Sequence, residues 1–218
     1  MNIRDLPVEG VKIIEPQVLA DGRGWFCEQY SAARYRAAGI AADFVQDNES
    51  LSSKGVVRGL HWQAGECAQA KLVRVIRGAV WDVAVDIRKG SSTFGQWISG
   101  VLCAADSAYY GAHKGETLAS MSLGASSPSL VSGPLPLQPF RQLFIPRGFA
   151  HGFVVLEDDT LFSYKCDNLY CKASERGLLF DDPALGVKWP SLDVELTLSE
   201  KDRKHPGLKD IEPWEGPR

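Results

Sequence analysis

Two adjacent β-rich runs restrict the possible folds more than any other part of the chain. Residues 71–87 read KLVRVIRGAVWDVAVDI, and β-branched and aromatic residues dominate on both sides of Gly78. This composition is typical of strands, and a glycine between two such runs predicts a hairpin turn or a bulge. Further strands are predicted in GQWISGVL (95–102), QLFIP (142–146) and HGFVVLEDDTLFSYK (151–165). Many short strands at close spacing predict an all-β sandwich or barrel.

Helix signals are few. In the segment SAARYRAAG, Ser31 is placed to cap a short helix and Gly39 to end it. A second short helix is expected after the tail motif LSEKD, residues 198–202. The fold class is therefore predicted to be all-β with a few short helices.

Residues 104–140 differ in composition from the rest of the chain. They are rich in serine, glycine, alanine and proline and show no sustained periodicity. Structureless loops of this length are uncommon inside compact domains. We therefore predict a single domain over residues 1–218 with a flexible insertion at 104–140. The insertion contains His113, which is not assigned to a site.

Charge and cysteine spacing argue against several classes of function. The net charge of −3 argues against a nucleic-acid partner. The N-terminal residues MNIRDLPVEG lack the layout of a signal peptide, and no apolar run approaches the roughly 20 residues that span a bilayer, so no membrane partner is expected. The five cysteines are widely spaced and include no CxxC pair, which favours reduced thiols in a cytoplasm over a zinc site or a disulfide framework.

Several polar residues lie on the predicted inward faces of strands. Alternation places Lys71 with Val73 and Val75, Asp82 with Val80 and Ala84, and Tyr164 with Phe162. A charge on an inward face of a barrel must be paired or functional. A solvent-facing position stays open for each, but together they predict a base, a cation and a phenol in one pocket.

Two histidines stand in similar surroundings. His61 lies in RGLHWQ (58–63) and His151 in IPRGFAHGF (145–153), each beside arginine, glycine and aromatic residues. A single histidine of this kind is more often structural than catalytic. Taken alone, the sequence leaves His61 open as a packed ring, a metal ligand or a catalytic base.

Several blocks of the sequence, in order, closely resemble the dTDP-4-dehydrorhamnose 3,5-epimerases. The blocks are DGRGWFCE, FVQDNES, RGLHWQ, residues 71–97, FIPRGFAHGFVVL, DDPALGVKWP and LSEKD. The resemblance implies a cupin-like β-jelly roll, a homodimer and no metal or organic cofactor. It also implies inversion of C3 and C5 of a dTDP-4-keto-6-deoxyhexose in dTDP-rhamnose biosynthesis.

The same resemblance implies roles for individual residues. His61 would be the general base, Tyr164 the opposing acid, Asp202 the partner of His61, and Lys71 the cation near the sugar C4 oxygen. Asp82 and His151 would be further pocket residues, and the nucleotide or diphosphate contacts would be Arg23, Glu28, Gln46, Asp47, Asn48, Arg58, Glu175 and Lys201. Phe26 is counted among the substrate-binding residues, and Trp25, Trp62 and Trp189 are further candidates for core or pocket wall.

The implied chemistry is consistent with these residue types. A ketone at C4 acidifies the hydrogens at both C3 and C5, so a histidine can act as base and a nearby cation can stabilise the enolate. Inversion needs a proton from the face opposite the base, which a tyrosine can supply. Arginine matches phosphate oxygens with its fork of donors.

Other functions stay open at this point. Related cupin-like enzymes act at C3 only or C5 only, or move the carbonyl between C3 and C4. A non-catalytic protein that binds a sugar nucleotide is a second alternative. A metal-dependent oxygenase is a third, but Gln63 stands where a metal-binding cupin usually carries a second histidine, which leaves only His61, Glu66 and His151 as ligands.

Overall fold

The computed structural model describes residues 1–114, 122–123 and 137–216. The strands are β1 (Asn2–Asp5), β2 (Lys12–Glu15), β3 (Val18–Asp21), β4 (Gly24–Cys27), β5 (Gln46–Ser52), β6 (Val57–Gln63), β7 (Lys71–Arg77), β8 (Ala79–Asp86), β9 (Trp97–Cys103), β10 (Ser122–Leu123), β11 (Gln142–Ile145), β12 (Phe149–Val155), β13 (Thr160–Cys166) and β14 (Glu175–Gly177). The α-helices are α1 (Ala32–Ala37) and α2 (Ala108–His113). Short 3₁₀ turns occupy Gly65–Cys67, Lys172–Ser174, Asp202–Lys204 and Leu208–Asp210.

Most strands belong to two six-stranded sheets. One sheet has the order β1-β2-β11-β7-β13-β5, and the other has the order β10-β9-β8-β12-β6-β14. Strands β3 and β4 form a separate hairpin. The pairings between these strands are antiparallel. The all-β prediction is therefore confirmed.

The main core lies between the two sheets. Val73 and Phe162 from the first sheet share one buried cluster with Val80, Ala84 and Phe153 from the second. Tyr164 packs against this cluster as a partly buried residue. The predicted face alternation along β7, β8 and β13 is thus confirmed, because alternate residues of each strand enter the space between the sheets.

The prediction of a hairpin or bulge at Gly78 is wrong. Strand β7 pairs with β11 and β13, while β8 pairs with β9 and β12, so the two runs lie in different sheets. Gly78 has a φ of 80° at the corner between them. A Cβ there would lie 2.2 Å from the Thr160 hydroxyl oxygen. Both the positive φ and this lack of space therefore require glycine at the corner. Strand composition reveals that two strands exist, but not which strands pair.

The two predicted helices exist in modified form. Helix α1 follows Ser31, whose side chain makes no capping hydrogen bond, and Gly39 follows its end with a φ of 81°. Tyr35 anchors α1 in a small core cluster and is 1% exposed. The tail turn at Asp202–Lys204 is 3₁₀ and overlaps the LSEKD motif rather than following it.

Part of the predicted insertion can be described. Residues 108–113 form helix α2, where no regular structure was expected, and the Ser107 hydroxyl caps it by accepting from the Tyr110 amide at 3.0 Å. The two residues of β10 pair with β9. Residues 115–121 and 124–136 lie outside the described residues, so flexibility there stays a prediction. Within the described ranges, no helix has the length and apolar character to cross a membrane.

Candidate active site

A polar pocket of about 280 Å³ lies among strands of both sheets and the C-terminal tail. Its lining residues are Ser50, Arg58, His61, Lys71, His151, Phe153, Phe162, Tyr164, Ser199, Lys201 and Asp202. All four residues predicted to be catalytic therefore share one cavity, although they are spread from position 61 to position 202.

His61 reaches the pocket from β6, and the tail supplies its partner. The tail is fixed beside the start of β6, because the Val57 amide donates to the Thr197 carbonyl at 2.9 Å and the Thr197 amide donates to Gly55 at 2.9 Å. This anchoring brings Asp202 to β6, where its Oδ1 atom lies 2.5 Å from His61 Nε2. The predicted pairing of these two residues is present in the structure.

Asp202 is held as a carboxylate. It is 4% exposed, and burial alone would raise the pKa of its carboxyl. The hydrogen bond and positive charge of His61, with a smaller contribution from Ser199, outweigh burial and lower that pKa below its ordinary value. An ionised Asp202 can accept a hydrogen bond from His61 Nε2 and so hold the ring in one orientation.

A second histidine contacts the same carboxylate. His205 Nε2 lies 3.4 Å from Asp202 Oδ1, and the two histidine rings meet edge to face with centroids 5.6 Å apart. Gly177 makes room for this ring, since a Cβ there would lie 2.2 Å from it. Burial, followed by the charge of His61, lowers the pKa of His205 and favours its neutral form.

Lys71 and Tyr164 supply the cation and the phenol. The Lys71 Nζ atom lies 5.8 Å from the centroid of the Tyr164 ring. Desolvation lowers the pKa of the Lys71 ammonium, although the charges of Cys166, Asp82 and Glu175 act in the opposite direction. Burial raises the pKa of the Tyr164 phenol, which keeps the hydroxyl protonated.

The pocket-lining residue His151 forms a buried pair with Asp82. Asp82 Oδ2 lies 2.8 Å from His151 Nε2, and the residues are 1% and 6% exposed. Within the described residues, the other oxygen of Asp82 is buried without a hydrogen-bond partner. His151 lies opposite His61 in the pairing of β12 with β6, so this pair supports the wall that carries the predicted base.

The predicted nucleotide contacts on β5 point in two directions. Gln46 and Asn48 lie on the partly buried face with the pocket residue Ser50, and the Gln46 amide donates to Asn48 at 3.0 Å. Asp47 lies on the opposite, exposed face and pairs with Lys165 at 2.5 Å. Strand alternation explains the split.

Cationic side chains border the pocket. Arg58 donates to the Ser52 hydroxyl at 3.1 and 3.0 Å, and no carboxylate of the described residues forms an ion pair with it. Lys201 pairs with Glu175 at 2.5 Å, and Glu175 also accepts from the Tyr170 hydroxyl at 3.0 Å. Arg58 therefore stays available for an anion.

Eight predicted binding residues are not among the pocket-lining residues, and three of the eight lie at one hairpin. Arg23, Phe26 and Glu28 lie on or just after the β3–β4 hairpin, where Arg23 pairs with Asp21 at 2.6 Å and Glu28 pairs with Arg34 at 3.1 Å. Phe26 is 68% exposed. The structure therefore does not bring these residues to the pocket of their own chain.

The four candidate aromatics separate into two groups. Trp62 is 7% exposed in a core cluster, and Trp189 packs against Trp81 with ring centroids 5.1 Å apart. Trp25 and Phe26 are exposed on the hairpin, and Trp25 contacts Phe140 edge to face at 4.7 Å. Trp62 is therefore a core residue, and Trp189 is a partly buried residue that packs against the core.

Some site residues were not predicted from the sequence. They are Ser50, Phe153, Phe162 and Ser199, which line the pocket, and His205, which contacts Asp202. Alternation from Gln46 and Asn48 could have identified Ser50, and Ser199 lies within the LSEKD motif. His205 follows that motif by three residues, but nothing in the sequence shows that it turns back toward Asp202.

The metal ligands considered from sequence do not form a group. Within the described residues, the ligand atoms of His61, Asp202 and His205 lie within 4.8 Å of one another. Glu66 and His151 are not members of this group.

Fold and pocket together define a class of protein. The class is that of cupin-like isomerases, in which a jelly-roll pocket holds a histidine–carboxylate pair, a lysine and a tyrosine. A family model described as dTDP-4-dehydrorhamnose 3,5-epimerase matches residues 5–110 and 128–210, and the chain belongs to this family. The unmatched residues between these two ranges fall inside the predicted insertion.

Known relatives are similar over nearly the whole chain. A dTDP-4-dehydrorhamnose 3,5-epimerase of Methanothermobacter thermautotrophicus is 41% identical over 204 residues, which cover 93% of this chain and 92% of the relative. The crystal structure of a Legionella pneumophila dTDP-6-deoxy-D-glucose-3,5-epimerase in complex with dTDP-4-keto-L-rhamnose is 40% identical, with a TM-score of 0.77 and coverage of 97% and 94% of the two chains.

A more distant solved structure is a 3'-monoepimerase from Streptomyces bikiniensis in complex with dTDP-quinovose. It is 29% identical, with a TM-score of 0.74, and the match covers 94% of this chain and 86% of that one. The likeness to these structures confirms the predicted cupin-like jelly roll.

Proposed function

We propose that this chain converts dTDP-4-dehydro-6-deoxy-D-glucose to dTDP-4-dehydro-L-rhamnose by inverting C3 and C5, a step in dTDP-L-rhamnose biosynthesis. The observation that carries the proposal is the His61–Asp202 pair in one pocket with Tyr164 and Lys71. The bound keto-sugar nucleotide of the Legionella pneumophila relative supports the substrate class.

His61 is the proposed general base. Its Nε2 atom faces Asp202 Oδ1 at 2.5 Å, so proton transfer to the imidazole produces a cation beside a fixed carboxylate. Such a pair lowers the cost of charge separation during proton abstraction. The two abstractions at C3 and C5 are equivalent chemically, because each carbanion is delocalised onto the C4 oxygen.

Lys71 and Tyr164 complete the proposed mechanism. The Lys71 ammonium stabilises the enolate oxygen, an interaction that strengthens as negative charge develops. The Tyr164 hydroxyl returns a proton to the other face of the sugar and so inverts the centre. This chemistry requires neither metal nor organic cofactor, since the substrate ketone itself acidifies the hydrogens that are removed.

The pocket border is the proposed diphosphate site. Arg58 and Lys201 place two cations at the cavity, and Arg58 has no carboxylate partner among the described residues. Gln46, Asn48 and Glu175 are the proposed polar contacts to the nucleotide on the same side. Asp47 would have to exchange its ion pair with Lys165 to join them.

Proton NMR in deuterated water tests the proposal. Wild-type protein with dTDP-4-keto-6-deoxyglucose should place deuterium at both C3 and C5, and His61→Ala should abolish this exchange. The double variant Lys204→Ala/Glu200→Ala removes an exposed ion pair and serves as a folded control. Exchange at C3 alone would identify a mono-epimerase, and no exchange above background would reject the epimerase proposal for this substrate.

We further propose a homodimer in which the β3–β4 hairpin of one copy completes the pocket of the other. Arg23, Phe26 and Glu28 lie on or beside this hairpin and are not pocket-lining residues of their own chain. The hairpin exposes Leu19, Trp25 and Phe26 at 55%, 59% and 68%, an apolar surface that favours contact with another chain.

Mixing two inactive variants tests the shared site. If Arg23 acts in the partner's pocket, subunits with His61→Ala and subunits with Arg23→Ala should recover activity on mixing, because one pocket of each heterodimer is then intact. Recovery should vanish when both substitutions are placed in the same chain and mixed with either variant alone. A monomeric mass in light scattering would contradict the dimer.

Two remaining features belong to the same proposal. The insertion predicted at 104–140 is proposed to be dispensable within a single domain, so deletion of residues 111–127, which the family model does not match, should leave turnover largely intact. A folded but inactive deletion variant would count against this.

A cytoplasmic location is consistent with five free cysteines.

A further inference from the structure

Two cysteines lie on opposing segments beside the pocket. Strand β14 pairs with β6 so that Gly177 lies opposite His61 and Glu175 lies opposite Gln63. Beyond this pairing the two segments continue into the 3₁₀ turns Gly65–Cys67 and Lys172–Ser174. Cys67 ends the first turn, and Cys171 directly precedes the second.

Hydrogen bonds hold the two segments together around this position. Beyond the last strand pair, the Ala64 amide donates to the Ser174 carbonyl at 2.8 Å. The Cys171 amide donates to the Gln63 side-chain oxygen at 3.0 Å. These two hydrogen bonds hold the segments together on the side of the cysteines that is nearer to β6 and β14.

Hydrogen bonds from Asn168 hold the two segments together on the other side of the cysteines. The Asn168 side-chain amide donates to the Glu66 carbonyl at 2.8 Å and to the Ala68 carbonyl at 3.5 Å. These two carbonyls flank Cys67 in the chain. Both cysteines are free and partly exposed, and their thiols are close enough to hydrogen-bond each other.

We propose that Cys67 and Cys171 form a reversible disulfide, and that hydroperoxides are the oxidants that close it. A disulfide requires Cβ atoms about 3.5–4.5 Å apart. Neither cysteine lies inside a strand, so no strand pairing has to break for the two thiols to approach each other.

The chemistry balances with one peroxide molecule. The Cys171 thiolate attacks a peroxide oxygen, the O–O bond breaks, and hydroxide leaves as Cys171 becomes a sulfenic acid. Cys67 then attacks that sulfur, the S–O bond breaks, and water leaves as the S–S bond forms. The two thiols lose two hydrogens in total, and hydrogen peroxide is reduced to two molecules of water.

The environment of each thiol identifies Cys171 as the attacking group. Hydrogen bonds from the Ser174 hydroxyl and then from Cys67 lower the pKa of the Cys171 thiol. Burial instead raises the pKa of Cys103 to about 12 and of Cys166 to about 11. The disulfide would fix the segment that carries Glu175, the partner of the pocket residue Lys201.

Mass spectrometry of the oxidised protein tests the disulfide. Wild-type protein is treated with hydrogen peroxide at neutral pH, remaining thiols are blocked with N-ethylmaleimide, and the digest is run without reductant. The expected product is one peptide pair that joins Cys67 to Cys171, lacks two hydrogens and separates with dithiothreitol. Recovery of both cysteines as separate alkylated or over-oxidised peptides would overturn the proposal.

Two variants sharpen the result. Cys67→Ser should leave Cys171 as a sulfenic acid that dimedone captures, whereas Cys27→Ser, at another partly exposed cysteine, should leave the cross-link unchanged. Equal yields of cross-links to Cys27 and to Cys67 would also contradict a specific pair. None of these readouts depends on the proposed epimerase activity.

Discussion

His61 Nε2 lies 2.5 Å from Asp202 Oδ1, and the contact joins residues 141 positions apart. It connects strand β6 of the second sheet to a turn in the C-terminal tail. In the proposed mechanism the tail therefore contributes directly to the acid–base chemistry, because its position relative to β6 sets the carboxylate beside the imidazole ring.

Replacing Asp202 by asparagine should reduce kcat by about 10²-fold or more, a loss within the range for general acid–base catalysis. The amide is similar in size but cannot stabilise the imidazolium form of His61. Turnover at neutral pH measures the effect, with Ser199→Ala as a milder comparison because Ser199 contributes less than His61 to lowering the pKa of Asp202. Full activity in Asp202→Asn would remove Asp202 from the mechanism.

The same carboxylate should make stability depend on acid. The folded-state pKa of Asp202 is below its ordinary value of 3.8, so its ionised form stabilises the fold above that pH, and this contribution is lost as pH falls through the folded-state pKa. Urea unfolding of wild type and Asp202→Asn should show a larger difference at neutral pH than near about pH 3. A difference that grows on acidification would contradict the sign of the shift.

Replacing Tyr164 by phenylalanine should separate proton removal from inversion. His61 can still remove and return the proton on one face, so deuterium exchange should persist while inverted product falls by about 10²-fold or more. Proton NMR in deuterated water reports both. Tyr30→Phe, which removes a hydroxyl from an aromatic cluster outside the pocket lining, is the matched control. Undiminished product formation would show that another acid delivers the proton.

Replacing Lys71 by methionine should lower kcat by about 10²–10³-fold through loss of enolate stabilisation. In wild type, activity that requires the ammonium is lost as pH rises through its pKa. Desolvation lowers that pKa, so the loss should occur at lower pH than for an exposed lysine. Lys71→Arg should move this alkaline limb upward, because arginine stays charged. If activity is lost at the same high pH in Lys71→Arg as in wild type, a group other than Lys71 causes that loss.

Removing His151 should destabilise the fold by leaving Asp82 as a buried, unpaired charge. His151→Leu is expected to cost about 3 kcal/mol in the free energy of unfolding. The double variant Asp82→Asn/His151→Leu should recover part of this loss, since a neutral amide is less costly to bury than a carboxylate. Urea denaturation measures both. A double variant less stable than His151→Leu would show that the charge itself is not the cause.

The site residues that could be predicted without the family resemblance follow mostly from the alternation of side chains between the two faces of a strand. Lys71, Asp82 and Tyr164 each stand in a period-two pattern with apolar residues, and all three lie on the predicted faces. The pattern depends only on local strand geometry, so it is readable from a few residues. The individual roles depended instead on the family resemblance, because alternation does not distinguish a base from a packed ring.

Relationships between distant segments could not be predicted from local patterns. The sequence around Gly78 predicts a hairpin or a bulge and not a corner, because the composition of the two flanking strands does not indicate to which sheet each strand belongs. The contact of His205 with Asp202 depends on the course of the tail and on the space above Gly177. Both features arise from tertiary packing.

The late position of Asp202 in the chain has a consequence for biosynthesis. A ribosome adds Asp202 at a point 141 residues after His61, so the strands between these residues are made while the histidine still lacks this carboxylate. His61 gains its partner only when the tail docks beside β6. Chains terminated before residue 202 would therefore lack part of the pocket lining, and the proposed base would have no carboxylate beside it.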